Sequence, residues 1–257
     1  MTLDQPVSLD DQLWRGATSE GVEVRRLTSG RPFCAGVLVM RDGKVLSVLS
    51  ADGIDAAGAD GTDWFVSGVG GGQEAGESVW DCALREAKEE LGVPVRLVPS
   101  PRTYLHDIDS DDFRVSRSRD QPAPFIVQRV QNPDATTPFK PGLPAGPFTY
   151  FCMFLAELVD EDPVFRPDDP DIGALLWTPL NAEGVFAGSV TFAELTAAGA
   201  TVAAGGPIAG NARIHVRKHE TLRVAGPLLA SAQLLPVSPR LTMPLLFLPS
   251  PGRCQVR

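Results

Sequence analysis

Between Gly71 and Val93 the chain reads GGQEAGESVWDCALREAKEELGV, and this stretch narrows more than any other what the chain can fold into. Glu86, Glu89 and Glu90 stand at i, i+3 and i+4, a spacing that puts three carboxylates on one face of an α-helix. At about 100° per residue, Val79, Ala83, Leu84, Ala87 and Leu91 fall on a neighbouring arc that can bury against a sheet. Ser78 is the expected N-cap, with Asp81 three residues on, and Gly92 is the expected stop. Arg85 sits one turn before Glu89, where it can pair with that carboxylate. Ahead of the helix come Gly70-Gly71-Gly72 and Gly76-Glu77, and glycine lets a backbone turn tightly and approach a ligand without a Cβ in the way. Carboxylates crowded in this manner repel one another. A hard divalent cation with oxygen ligands removes the repulsion, and Mg²⁺ in such sites commonly touches substrate phosphates as well.

The stretch resembles the Nudix box, G-x5-E-x7-R-E-U-x-E-E-x-G-U with U aliphatic, as Gly71, Glu77, Arg85, Glu86, Ala87, Glu89, Glu90, Gly92 and Val93. At average residue usage a chance match at the fixed positions is on the order of 10⁻⁹ per starting point. Ala87 is small for its aliphatic slot, and Val69 stands where many relatives have proline, but neither departure removes a carboxylate. REAKEEL alone would read as a solvated helix face; the upstream glycines and Glu77, at their fixed distances, give it another meaning.

The resemblance implies an α+β fold, an α/β/α sandwich in which a mixed β-sheet carries the box helix and a second helix on its faces. It implies divalent-metal-dependent hydrolysis of a diphosphate linkage, in a nucleoside diphosphate joined to another moiety, with Mg²⁺ or Mn²⁺ as cofactor. The implied metal ligands are Glu86, Glu89 and Glu90, with a backbone carbonyl at Gly71 and Glu77 bracing the loop or binding through water. Arg85 is expected to orient Glu89 rather than to touch substrate. Glu86 is the first candidate for proton acceptor, Asp171 the second, and the acidic group Asp107–Asp112 the third. Two other readings stay open: a hydrolase of a non-nucleotide diphosphate, and a catalytically inert domain serving as a ligand-sensing regulator. A regulator would be expected to have lost a box carboxylate and to carry a DNA-binding segment, and neither is visible.

The rest of the sequence bounds partners and location. With 43% apolar and 21% charged residues the 257-residue chain has ordinary globular composition. Its net charge of −9 argues against nucleic acid or a membrane surface held by bulk electrostatics, though not against a small diphosphate. Cys34, Cys82, Cys152 and Cys254 are scattered without a C-x-x-C pair, which suits buried thiols better than a disulfide framework. The acidic start lacks a signal pattern and no apolar run reaches membrane-spanning length, so a cytoplasmic location is expected.

Three segments follow from this reading: an arm over 1–29, a hydrolase domain over 30–200, and an extension over 201–257 packed on the domain or across a partner in a homodimer. In the arm a short helix is expected around Asp10–Trp14, with Trp14 as an anchor, and an edge strand over Gly21–Leu27. Phe33–Met40 and Lys44–Ser50 read as strands joined by an Asp42-Gly43 hairpin turn. Asp63–Val69, Pro94–Val98, Thr103–Ile108, Tyr150–Leu158 and Ala174–Leu180 also read as strands, and Ser189–Ala198 as the second helix. Trp64 or Phe65 can stack on a base, but aromatics in such a strand more often fill a core.

The stretch 109–147 is long for a connection. It holds Arg114, Arg117 and Arg119, many prolines and a possible strand over Phe125–Val130. It reads equally as a lid whose arginines bind substrate phosphate and as a solvated insertion. In the extension, His215 and His219 read as a solvent pair rather than a zinc site, and a short helix is expected near Leu228–Leu235.

Overall fold

The computed structural model describes residues 9–19, 21–51, 63–180, 186 and 188–233. Cys254, the tail beyond the expected last helix and most of the segment 51–62 lie outside the described residues. In chain order the elements are helices α1 (Leu9–Ser19) and α2 (Val24–Thr28), strands β1 (Phe33–Arg41), β2 (Lys44–Ser50), β3 (Asp63–Ser67) and β4 (Val69–Gly72), and helix α3 (Val79–Leu91). Strands β5 (Val95–Val98), β6 (Thr103–Asp107), β7 (Asp112–Ser116), β8 (Ile126–Gln131), β9 (Phe148–Leu158) and β10 (Ile172–Pro179) follow. The described part closes with β11 (Ser189–Thr191), α4 (Phe192–Ala197), β12 (Thr201–Gly205), β13 (Arg213–His215) and α5 (Leu222–Gln233).

The strands form one mixed sheet ordered β11-β13-β3-β2-β1-β9-β8-β6-β7, with β4 also on β1, β5 on β9, β10 on β2 and β12 on β10. The β1–β9, β6–β8 and β13–β3 pairs are parallel. The pleat sends alternate residues to opposite faces, and β1 uses this to feed two cores. Val37 and Val39 join the cluster under α3, with Val79, Cys82, Ala83, Ala87 and Leu91. Leu38 points the other way, into a cluster closed by Phe192 and Leu195 of α4 and by Leu222, Ala225 and Leu229 of α5. The result is the expected α+β sandwich, with the box helix on one face and shorter helices on the other.

Several local expectations give way to the three-dimensional structure. Gly21–Leu27 is not a strand: Val24, Leu27 and Thr28 are buried at helical spacing in α2, and only Val22 makes a bridge, to Ser118. The stretch 109–147 is not one insertion, since β7 and β8 within it belong to the sheet and β8 lies between β9 and β6. Ser189–Thr191 is a strand, so the second helix starts later, where Thr191 and Glu194 form a capping box. Residues 201–233 contribute β12, β13 and α5. The last of these starts earlier than expected and carries Pro227 on its exposed side, while Leu222, Ala225 and Leu229 bury in the core. Leu84 is 39% exposed, while Cys82 takes a buried place beside Ala83.

Helix α1 is fastened to the sheet through a charge. Arg129 on β8 is 8% exposed and pairs with Asp107 Oδ2 at 2.6 Å and Asp11 Oδ1 at 3.0 Å. Its guanidinium lies 4.9 Å from the centre of the Trp14 ring and 4.5 Å from that of Phe148. Burial alone would raise the Asp107 carboxyl; the hydrogen bonds from Arg129 and the Ser110 N–H outweigh it and hold the group below its usual range. A depressed folded-state pKa stabilises the fold fully above the unfolded-state value and is lost as pH falls through the folded one. Asp107→Asn is therefore expected to cost about 3 kcal/mol at pH 7. In urea titrations the gap between variant and wild type should close as pH falls below about 3.9. A gap that stays constant with pH would show that the charge plays no part.

Candidate active site

Helix α3 is built as its sequence demands. Ser78 Oγ accepts from Asp81 N–H at 3.2 Å and donates to the Asp81 carboxylate at 2.6 Å. At the other end Gly92 takes φ 68° and donates its N–H to Lys88 O. Gly92 is needed twice over, because a Cβ there would run into the backbone of Arg166. That neighbouring segment caps the helix further: Arg166 N–H donates to Leu91 O at 3.0 Å and Asp168 N–H to Glu89 O at 2.8 Å.

Strand β4 supplies the glycines. It lies antiparallel to β1 with Gly36 opposite Gly70 and Ala35 opposite Gly71. A Cβ on Gly36 would strike Val69 O and Gly70 Cα, and one on Gly70, at φ 154°, would strike Ala35 O and Gly36 Cα. Bare backbone on both sides brings the strands close enough for the helix to reach across. Gly70 N–H donates to Glu90 Oε2 at 2.7 Å, and the Glu86 carboxylate lies where a Cβ of Gly71 would be.

Arg85 gathers the remaining charges. Its Nε and one terminal nitrogen donate to Glu77 at 2.9 and 3.1 Å, and that nitrogen also donates to Gly72 O at 2.8 Å. The other terminal nitrogen donates to Glu86 Oε1 at 2.8 Å and Glu89 Oε2 at 3.0 Å. The sequence points to the Glu89 pair alone; the structure adds Glu77, Glu86 and the strand carbonyl. Against the cost of burial, Arg85 holds the Glu77 carboxyl below its ordinary value.

Glu86 and Glu90 face a cavity of about 420 Å³. Burial raises both carboxyls. Glu90 is pushed up to about 8, with the negative charges of Glu86, Asp169 and Glu220 adding to the effect. Among the described residues no three carboxylate, thiol or imidazole groups stand together as a ready-made metal cage. The positions of Glu86 and Glu89 instead follow Arg85. The donor chemistry nonetheless suits a hard divalent cation: oxygen donors only, mutually repelling carboxylates, and a cradle at Gly71 that a Cβ would fill.

Of the expected site residues, Gly71, Glu86, Glu90 and Asp171 line this cavity. Glu77 and Glu89 stay beside Arg85 and do not line the cavity, Glu89 with a half-exposed side chain. Arg114, Arg117 and Arg119 do not line it. β7 closes a hairpin on β6 at the end of the sheet order, and nearby acids take the arginines there: Arg114 pairs with Asp112 at 2.6 Å and Arg119 with Glu23 at 3.1 Å. The acids of 107–112 are likewise engaged at that hairpin, Asp107 with Arg129 and Asp111 with His106, and do not line the cavity. Trp64 packs on Gly173, and Phe65 lies under the Arg217 guanidinium at 4.6 Å; neither ring lines the cavity.

Among the lining residues that the sequence does not single out for the site are Phe139 and Lys140 from the loop before β9, and Arg217, His219 and Glu220 from the turn before α5. Their only sequence signal was the unexplained length of 109–147 and the basic segment RIHVRKHE. His215 leaves its expected partner and pairs with Asp63 at 3.2 Å. Cys34 also lines the cavity, but burial pushes its thiol up to about 11, so it stays protonated near neutrality and is no nucleophile.

A model of the NUDIX domain matches residues 30–190. Among solved structures the chain is similar to a NUDIX hydrolase from Nitrosomonas europaea, at 16% identity over 58% of this chain and 73% of that one, with a TM-score of 0.35. It is similar to an ADP-ribose pyrophosphatase from Streptococcus suis, at 14% identity over 80% and 94% of the two chains, with a TM-score of 0.39. A MutT NUDIX hydrolase from Burkholderia pseudomallei shares 23% identity over 58% and 84%, with a TM-score of 0.32. A search of curated proteins found no match.

Replacing Arg85 by lysine keeps the charge but removes the planar fork that reaches two carboxylates on one side and a carboxylate and a carbonyl on the other. Arg85→Lys is expected to lower stability by about 2 kcal/mol in urea unfolding, and Arg85→Gln by more. Unchanged stability in both would reduce Arg85 to a solvated surface charge.

Proposed function

The chain belongs to the Nudix family and is a pyrophosphohydrolase of that type, and on that premise we propose that it uses Mg²⁺ or Mn²⁺ to cleave the diphosphate linkage of a nucleoside diphosphate joined to another moiety. One observation carries the reading: Glu86 and Glu90, held against a glycine strand, face the same cavity as the cations Lys140 and Arg217. That pairing of carboxylates with cations matches a substrate whose phosphates need both a metal and direct positive charge.

Glu86, Glu89, Glu90 and the Gly71 carbonyl are the groups that would hold the cation, with Glu77 bracing the loop through Arg85. Bound there, the ion supplies neutralisation of phosphate oxygens and a more acidic water. Everything else is the work of this chain's own residues. Arg85 fixes the directions of Glu77, Glu86 and Glu89, so that little reorganisation is left to the moment of reaction. Lys140 and Arg217 contribute positive charge along the cavity wall. Glu86 is the first choice as proton acceptor and Asp171 the second; both line the cavity. Among the described residues no helix is long and apolar enough to cross a membrane, and Cys34, Cys82 and Cys152 are free thiols, in keeping with a cytoplasmic setting.

The test is a panel of ADP-ribose, dinucleoside polyphosphates, nucleoside diphosphate sugars and non-nucleotide diphosphates, with Mg²⁺ and with Mn²⁺, reading the phosphate species released. On the best substrate, Glu86→Gln and Glu90→Gln are expected to lower kcat by roughly 10²–10³. Both should also weaken Mn²⁺ binding followed by electron paramagnetic resonance, while melting temperatures stay near wild type. Turnover close to wild type in either variant would overturn the assignment of the metal site. Metal-dependent turnover confined to non-nucleotide diphosphates would overturn the nucleotide reading.

A further inference from the structure

The family match ends at residue 190 and says nothing of which substrate this chain prefers. Within the match, the loop between β8 and β9 is specific in its construction. Its neck is closed by Asn132, whose N–H donates to Pro147 O at 2.9 Å and whose side chain donates to Gly146 O at 2.5 Å. Thr149 Oγ1 donates to Asn132 Oδ1 at 3.0 Å, locking that amide from the sheet side. Asp134 ties the first turn, accepting from Thr136 N–H at 2.8 Å. Leu143 is 4% exposed and packs against Gly72 of the glycine strand, and its N–H donates to Lys140 O at 3.1 Å.

A loop anchored at the neck and again at Leu143 presents the residues between as a fixed surface. Phe139 and Lys140 are those residues, and both line the cavity. Phe139 lies edge-to-face with Phe151 of β9, ring centres 5.8 Å apart. With Met153, Phe151 and Phe139 make one apolar wall, and Phe139 keeps 39% of its surface exposed although it borders the cavity. A large aromatic left open at a cavity lined also by carboxylates and a lysine suits a ligand with a flat ring at one end and phosphate at the other.

We propose that Phe139 and Lys140 determine specificity, Phe139 stacking on the nucleobase of the substrate and Lys140 contacting the phosphate next to it. The proposal rests on the nucleotide reading above for its substrate class, but its test needs no bond cleavage. AMP and ribose 5-phosphate share sugar and phosphate, differ in the base, and contain no diphosphate to hydrolyse. Calorimetric titration in the presence of Mg²⁺ is expected to show AMP binding about tenfold more tightly than ribose 5-phosphate, the discrimination that stacking on one aromatic ring provides. Phe139→Ala should abolish that preference, and Phe139→Trp should keep it. Lys140→Met should weaken both ligands by a similar factor of roughly five and leave the preference intact.

Equal affinities for AMP and ribose 5-phosphate in the wild type, or a preference that survives Phe139→Ala, would overturn the stacking role. A Lys140→Met variant that binds both ligands as wild type would overturn the phosphate contact. An enzyme that discriminates in these titrations yet cleaves no nucleoside diphosphate would instead refute the proposed reaction, so the two failures are distinguishable.

Discussion

The site depends on how closely two strands approach. Gly36 and Gly70 face each other across β1 and β4 with no room for a Cβ on either. Because that contact is backbone on backbone, α3 lies near enough for Glu90 to accept the Gly70 N–H and for Glu86 to lie across Gly71. Any side chain at position 36 or 70 would push the strand away from the helix, and the carboxylates would lose the partners that aim them. A hydrogen bond to a carboxylate contributes about 1.5–3 kcal/mol net to stability. Its greater consequence is geometric, since it fixes the direction of a buried carboxylate that would otherwise have several rotamers.

Close packing of acids has an energetic cost, and Arg85 is the answer within the helix. One guanidinium reaches Glu77 upstream, Glu86 beside it and Glu89 one turn on, together with Gly72 O. Its two ends serve different elements, loop and helix, so it joins them as well as neutralising them. Glu90 has no such partner. Buried, and facing the charges of Glu86, Asp169 and Glu220, it is the group for which a proton or a cation offers most relief. The division is physically sensible: charges that must be oriented are paired with arginine, and the charge that must stay available is left to a single backbone N–H.

The sequence made the helix legible because everything that defines it is local. Ser78, Asp81 and Gly92 cap it, the carboxylates recur at one helical spacing, and Asp42-Gly43 turns the preceding hairpin with positive φ at both residues. What failed was long-range. Arg114, Arg117 and Arg119 read equally as phosphate ligands and as part of a solvated insertion; β7 pairs with β6 at the end of the sheet, Asp112 and Glu23 pair with Arg114 and Arg119, and none of the three lines the cavity. The same long segment does reach the cavity, through Phe139 and Lys140, which carry no motif. Gly21–Leu27 departs from its pattern for a related reason: its weak alternation resembles a strand, while Val24, Leu27 and Thr28 are buried together in a single turn of helix that no period-two pattern reveals.

The far wall of the cavity makes the same point about origin. Arg217, His219 and Glu220 lie beyond the residues that the family model matches, yet they share a cavity with Glu86 and Glu90. Glu220 Oε1 accepts from Gly68 N–H at 3.1 Å, two residues before the glycine whose N–H goes to Glu90. The turn before α5 therefore grips the bend between β3 and β4, and the same turn carries Arg217 and His219 to the cavity. That turn is held in place because Leu222, Ala225 and Leu229 of α5 bury against the second face of the sheet. The cavity's carboxylates Glu86 and Glu90 thus come from the box, while other parts of its lining come from the β8–β9 loop and from a segment outside the matched region. Both parts are fastened at the strand that also aims the carboxylates, one through Leu143 on Gly72 and the other through Glu220 on the Gly68 N–H just ahead of it.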